Sequence, residues 1–301
     1  MAEAQGMSLN ELRDRVKSRL THTLHDQPGK KLNVLVVGMP GSGKSSYINS
    51  MIMAVTGTWH EIARYGRTAS THEMAQRLVG ESRVTSCLES FVMFDDNCHE
   101  VGESHPMPDY NKNIVFWDCA GFPDATEEVY STIVSLTLDG RIPSGTNVIE
   151  CMDQTPDQLR SKFRRVDRQM TFDRIVFVLS ADKMVPYNLV EAIRSGAEKG
   201  HDVPFIVLVT KVDKCPNPHD LQQRVLGAQA AFNLIGHQGR FKISSLYCED
   251  VTPWPDPDDY RVMKPNAEID RKLLNIWMNL TDPNIKAKPA PPAPESWCTT
   301  S

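Results

Sequence analysis

The chain has 301 residues, of which 40% are hydrophobic and 24% charged, and its formal net charge is -5. That is the composition of an ordinary globular protein, and the acidic balance excludes nucleic-acid binding by bulk electrostatic attraction. No run reaches the roughly eighteen apolar residues of a membrane helix, and the start (Met1 to Gly6) is polar where a signal peptide is apolar. Seven scattered cysteines without a Cys-x-x-Cys pair point to reduced thiols and a cytoplasmic setting, with neither a disulfide framework nor a zinc site.

The first predicted element is an amphipathic helix from Ser8 to about His25. Ser8 and Glu11 form a capping box, and Leu9, Leu12, Val16, Leu20 and Leu24 recur at helical spacing. Gln27-Pro28-Gly29 breaks it. Asn33–Val37 reads as a buried parallel strand, and residues 44–55 as the helix that follows. Val84–Phe94 and Asn113–Asp118 are strand candidates, and Asp124 with Glu127 predicts the cap of a helix running to about Leu138. Arg174–Ser180 and Pro204–Thr210 are continuous apolar runs with a helix expected between them near Tyr187–Lys199. A helix at Leu221–Leu234, a short strand at Arg240–Ser244 and a closing helix at Asn266–Leu280 complete the pattern. Strands alternating with helices predict an α/β fold: a mostly parallel central sheet in three layers, with helices on both faces.

Gly38-Met39-Pro40-Gly41-Ser42-Gly43-Lys44-Ser45 fits G-x-x-x-x-G-K-[ST] between a predicted strand and a predicted helix. Such a loop wraps its backbone N–H groups around phosphate oxygens. Gly38, Gly41, Ser42, Gly43, Lys44, Ser45 and Ser46 are therefore the expected phosphate contacts. Lys44 would reach the β- and γ-phosphates and the Ser45 hydroxyl would hold Mg²⁺. Pro40 has no N–H to offer. Downstream, Ile114–Asp118 is an apolar strand ending in a carboxylate, with Gly121 three residues on. Asp118 there can hold Mg²⁺ through water, and Gly121 can turn its N–H to the γ-phosphate. Thr210-Lys211-Val212-Asp213 follows the next apolar strand. Asp213 can accept hydrogen bonds from N1–H and the N2 amine of guanine, which adenine does not offer in that arrangement. The Lys211 stem can cover the base, and Ser245 can approach its edge. Phosphate loop, D-x-x-G and T-K-x-D, in order at the carboxyl ends of parallel strands, predict GTP or GDP with Mg²⁺.

GMPGSGKSS, WDCAGFPD and TKVDKC in that order resemble the GTPase superfamily. More narrowly, GKSSYINS, WDCAGFPD before DGRIPSG, and FVLSADKM before FIVLVTKVD resemble the interferon-induced protein 44 family, related to dynamin-type G domains. The resemblance implies a P-loop NTPase G domain, GTP binding, a cytosolic setting and a link to innate immune responses. With the amphipathic helix before it and the Pro/Ala-rich composition after Asp282, the expected division is an N-terminal helix and linker (1–30), a G domain (31–282) and a disordered tail (283–301). Two departures stand out. Phe122 follows Gly121 where many GTPases carry a water-orienting glutamine, so hydrolysis is expected to be slow or assembly-dependent. No long helical stalk is present.

The switch residue completing the Mg²⁺ shell is expected at Thr68, Ser70 or Thr71, with Thr71 favoured. Arg160, Lys162, Arg164, Arg165 and Arg168 read as a solvated basic face; the sharper reading is an arginine reaching a partner's γ-phosphate in a nucleotide-dependent homodimer. Asp95–Glu100 reads as a polar hairpin. Cys298, fourth from the end with Ser301 last, fits a prenylation signal, and only through it would a membrane be a partner. The competing readings are a non-hydrolysing GTP-binding scaffold for an unknown effector protein, which Phe122 favours, and a P-loop ATPase or kinase.

Overall fold

Among the described residues, seven short stretches pair into one sheet, in the spatial order Thr146–Asn147, Cys87–Val92, Ile114–Asp118, Leu32–Gly38, Arg174–Ser180, Phe205–Thr210 and Phe241–Ile243. The computed structural model describes residues 6–21, 31–60, 62–63, 85–93, 114–125, 128–167, 170–198, 203–215, 217–235, 240–247 and 264–285. The strands are β1 (Leu32–Gly38), β2 (Cys87–Val92), β3 (Ile114–Asp118), β4 (Thr146–Asn147), β5 (Arg174–Ser180), β6 (Phe205–Thr210) and β7 (Phe241–Ile243). β1 lies parallel to β3 and to β5, with Val36 opposite Asp118 and Gly38 opposite Val178. β6 and β7 extend the parallel set, and β2 runs antiparallel to both β3 and β4. The sheet is therefore parallel except at the β2–β4 edge.

The helices are α1 (Leu9–Thr21), α2 (Lys44–Thr56), α3 (Glu128–Leu138), α4 (Val148–Met152), α5 (Pro156–Lys162), α6 (Tyr187–Glu198), α7 (Pro218–Ala231) and α8 (Ala267–Leu280). Alternate residues of each parallel strand face opposite ways, so each strand feeds two cores. Val34, Val36, Phe116, Val176, Val178, Ile206 and Leu208 pack under α1, α2 and α8. Leu35, Val37, Trp117, Phe177, Val207 and Val209 pack on the other face, under α3 to α7. This is the three-layer α/β P-loop NTPase architecture.

Several boundaries follow local chemistry. The Asn266 side chain accepts from the Glu268 and Ile269 N–H groups and starts α8. Asn217 caps α7 with Pro218 in its first position, three residues ahead of the expected Leu221. α5, not expected from its weak apolar periodicity, rests on a capping box between Thr155 and Gln158 with Pro156 at its start. The expected cap Asp124 instead serves another helix: its carboxylate accepts from the Leu189 N–H in the first turn of α6, at 3.0 Å. α3 itself begins at Glu128.

α1 packs into the sheet-facing core, with Leu12, Val16 and Leu20 fully buried. Arg13 donates to the Ala54 carbonyl at the end of α2 (3.0 Å) and to Asp270 of α8 (2.8 Å). Tyr247 donates its phenol proton to the same carboxylate at 2.7 Å. No described helix is long and apolar enough to cross a membrane.

Candidate functional site

The carboxyl ends of β1, β3, β5 and β6 meet at one point of the sheet, and loop 38–45 winds through it. Gly38 is pressed against β5: a Cβ on it would stand 2.3 Å from the Val178 carbonyl oxygen, so only glycine fits. Gly121 is pressed as closely on the loop itself, where a Cβ would lie 2.4 Å from Pro40 N. The D-x-x-G turn and the phosphate loop are therefore in contact. The Phe122 N–H donates to the Gly38 carbonyl at 3.2 Å and fastens the same junction.

Lys44 opens α2 and is buried. Its Nζ donates to the Gly38 and Met39 carbonyls at 3.4 and 3.1 Å, across the bow of the loop. Burial lowers its pKa, opposed chiefly by the charge of Asp118. The Ser45 hydroxyl donates to Asp118 Oδ2 at 2.5 Å. Asp118 is buried, and burial raises its pKa to about 6, against the pull of Lys44 and the Ser45 hydrogen bond. Asp118 Oδ1 and Ser42 Oγ are buried without a hydrogen-bond partner among the described residues. A carboxylate oxygen left bare beside a hydroxyl and an ammonium is a donor set for a hard cation and its phosphate ligand. Magnesium fits these residues.

The structure brings one further hydroxyl to this point, and it was missed from the sequence. Thr85 Oγ1 lies 3.3 Å from Ser45 Oγ and hydrogen-bonds toward Asp118. Thr68, Ser70 and Thr71 lie outside the described residues. The signal that could have found Thr85 is its place two residues before β2, the strand antiparallel to β3, which carries it to the end of Asp118. The adjacent Cys119 thiol is pushed up to about 12 by burial.

The T-K-x-D segment also closes on the loop. Thr210 is fully buried, with Oγ1 2.6 Å from the Ser42 carbonyl and 2.9 Å from that of Leu179, donating to one at a time. Lys211 adopts a left-handed backbone, φ 52°, and its Nζ donates to the Gly41 carbonyl at 2.7 Å. That ammonium braces the phosphate loop, so the Lys211 stem is drawn across the space between loop and T-K-x-D turn. Asp213 is exposed on a single 3₁₀ turn, Val212–Lys214, and accepts from the Ser245 hydroxyl at 3.4 Å. Ser46 is half-buried in the first turn of α2. Of the expected site residues, all but Thr71 thus gather at one sheet end.

Phe122 is fully buried and its ring meets Tyr130 of α3 edge-on, with centroids 5.5 Å apart. It points into the core and presents nothing to a nucleotide. The basic segment is engaged locally: Arg160 pairs with Asp157 at 3.0 Å and Glu128 at 3.5 Å, Lys162 lies over the Phe163 ring, and Arg164 donates to Ser161. Arg168, the Asp95–Glu100 segment, and the tail with Cys298 lie outside the described residues.

Among solved structures, the chain is similar to a protein of Thermus thermophilus at 15% identity and a TM-score of 0.33, covering 66% of this chain and 22% of that one. It is similar to the septin GTPase domain from Chlamydomonas reinhardtii at 15% identity and a TM-score of 0.34, covering 67% and 60%. The chain thus spans less than two thirds of either, and likenesses this loose carry no argument. No curated protein matches it in sequence. The model of one family, the 50S ribosome-binding GTPases, matches residues 33–211, from β1 through the lysine that braces the phosphate loop. That match covers more than half of the chain and contains both the phosphate loop and the D-x-x-G turn: the protein belongs to the 50S ribosome-binding GTPase family and is a GTP-binding protein.

Proposed function

We propose that the chain is a guanine-nucleotide switch that binds GTP and GDP with Mg²⁺ and hydrolyses GTP slowly or only on assembly. The observation that carries this reading is the convergence of Ser45, Asp118 and Thr85, with Asp118 Oδ1 bare, beside the buried Lys44 ammonium. Lys44 would neutralise β- and γ-phosphate charge, and Ser45, Asp118 and Thr85 would hold the magnesium ion, Thr85 taking the role assigned from sequence to Thr71. Bound magnesium would neutralise charge on the phosphates. Gly121 would offer its N–H to the γ-phosphate. Thr210 and Lys211 fix the loop, while Asp213, steadied by Ser245, reads the base. The buried Phe122 ring supports slow turnover, since it has no group to orient a water.

The interferon-induced protein 44 resemblance supports a cytoplasmic role in innate immune or stress responses, with an effector protein as partner. The same buried Phe122 favours a second reading, a scaffold that binds GTP and never turns it over. Phosphate release measured against protein concentration separates them. A specific rate that rises with concentration supports assembly-dependent hydrolysis, and no release at any concentration supports the scaffold.

Nucleotide affinity tests the base assignment directly. Asp213→Asn is expected to weaken GTP binding at least about 100-fold and to shift preference toward xanthosine triphosphate, because the amide can donate where the carboxylate only accepted. Preference of the wild type for ATP, or indifference to the substitution, would sink the guanine assignment and favour an ATPase or kinase. Thr85→Ala is expected to reduce the Mg²⁺-dependent gain in GTP affinity by about tenfold. Titrations with and without EDTA check this, and an unchanged gain removes Thr85 from the site.

A further inference from the structure

The phosphate loop has a gap in its row of donors at Pro40, which has no N–H. A lysine from another strand end stands there. Lys183 lies in the turn between β5 and α6, and its Nζ donates to the Pro40 carbonyl at 3.2 Å. One proton of the ammonium is used in that bond; no other partner of Nζ occurs among the described residues. Pro40 is itself fixed on its other side by Gly121, against which it packs with no room for a Cβ.

The turn that carries Lys183 is held at several points. The Ala181 N–H donates to the Thr210 carbonyl at 2.9 Å, and the Lys183 N–H to the Ser180 carbonyl at 3.1 Å. The Arg224 guanidinium grips the Ala181 carbonyl, and the Ser180 hydroxyl holds Asp182. Lys183 also stands within electrostatic reach of Lys44 and disfavours its charge. Two ammonium groups held that near each other repel, and a polyanion between or beside them relieves the repulsion. The triphosphate carries more negative charge than the diphosphate, and Lys183 and Gly121 both lie against Pro40, on the side of the loop where Gly121 would offer its N–H to the γ-phosphate.

We infer that Lys183 is a second phosphate-reading cation of this site, supplying at Pro40 the donor that proline lacks and favouring the triphosphate over the diphosphate. The inference rests on the guanine-nucleotide reading above. It makes Lys183 a specificity residue distinct from the Lys44, Ser45 and Asp118 set.

Lys183→Gln keeps a hydrogen-bond donor for the Pro40 carbonyl and removes the charge. Calorimetric titration with guanosine 5′-(β,γ-imido)triphosphate and with GDP, in Mg²⁺, reads the effect. Triphosphate affinity should fall about tenfold and GDP affinity less than about twofold, with the triphosphate loss shrinking as salt is raised. Lys183→Arg should recover most of the triphosphate preference. Equal losses for both nucleotides would show that Lys183 only shapes the loop, and unchanged affinities would show that it does not reach the phosphates; either overturns the inference while leaving the guanine-nucleotide reading intact. Failure of the wild type to bind either nucleotide overturns both.

Discussion

Replacing Trp277 with alanine is expected to cost about 3–5 kcal/mol of stability and to lower the melting midpoint by about 10 °C. Trp277 is fully buried on α8, where its indole N–H donates to the Met51 carbonyl of α2 at 2.9 Å. Its ring meets Phe116 of β3 edge-on at 5.6 Å, and Phe116 meets Tyr47 of α2 in the same way at 6.0 Å. One side chain thus ties α8 to the helix that carries Lys44 and to the strand that carries Asp118. Removing it opens a cavity the size of an indole, lined by rigid elements that cannot collapse into it. Trp277→Phe separates packing from polarity. It keeps an aromatic edge on Phe116 and should cost only about 1–2 kcal/mol, because the Met51 carbonyl also lies within its own helix. Denaturant unfolding followed by circular dichroism checks both variants. A loss below about 1 kcal/mol for Trp277→Ala would mean that α8 is peripheral to the core.

The parts legible from sequence were those whose signal is local and repeated. Apolar runs mark β5 to the residue and β1, β3 and β6 within one, because a strand buried on both faces is a continuous apolar run. α2 was legible because the phosphate loop announces its start. Helices that depend on caps rather than apolar stripes were read less well. α5 exposes most of its surface and is held by Thr155 and Gln158, and α7 starts at a proline behind Asn217.

In the site, motif order placed Lys44, Ser45, Asp118, Gly121, Thr210, Lys211 and Asp213 at one sheet end. Thr85 escaped because no fixed spacing joins it to another motif. Its position depends on β2 pairing antiparallel with β3, a tertiary fact. Lys183 escaped for the same reason: it reaches Pro40 only because β5 lies beside β1. Sequence spacing places the Asp124 carboxylate at the helix that follows it in the chain, whereas it accepts from the Leu189 N–H of α6, 65 residues away.

Lys44→Met is expected to abolish most nucleotide-dependent stabilisation while leaving the nucleotide-free protein within about 1 kcal/mol of wild type. The two halves of this expectation have one cause. Without phosphate, the buried Lys44 ammonium hydrogen-bonds, among the described residues, to the Gly38 and Met39 carbonyls alone, and burial already disfavours its charge. Methionine retains most of the apolar stem and removes the charge together with the cost of desolvating it. With phosphate bound, the same ammonium would make charge-assisted hydrogen bonds to two phosphoryl groups, each worth about 1.5–3 kcal/mol, so affinity should fall at least about 100-fold. Linkage converts this into a melting shift. At a ligand concentration of about 1,000 times the wild-type Kd, binding stabilises the wild type by about 4 kcal/mol, and the variant, then at no more than about 10 times its own Kd, by at most about 1.4 kcal/mol. Thermal scans with and without GTP and Mg²⁺ read both halves at once. An undiminished GTP-dependent rise would remove Lys44 from the phosphate site, and a large fall without nucleotide would make Lys44 a structural brace of the loop.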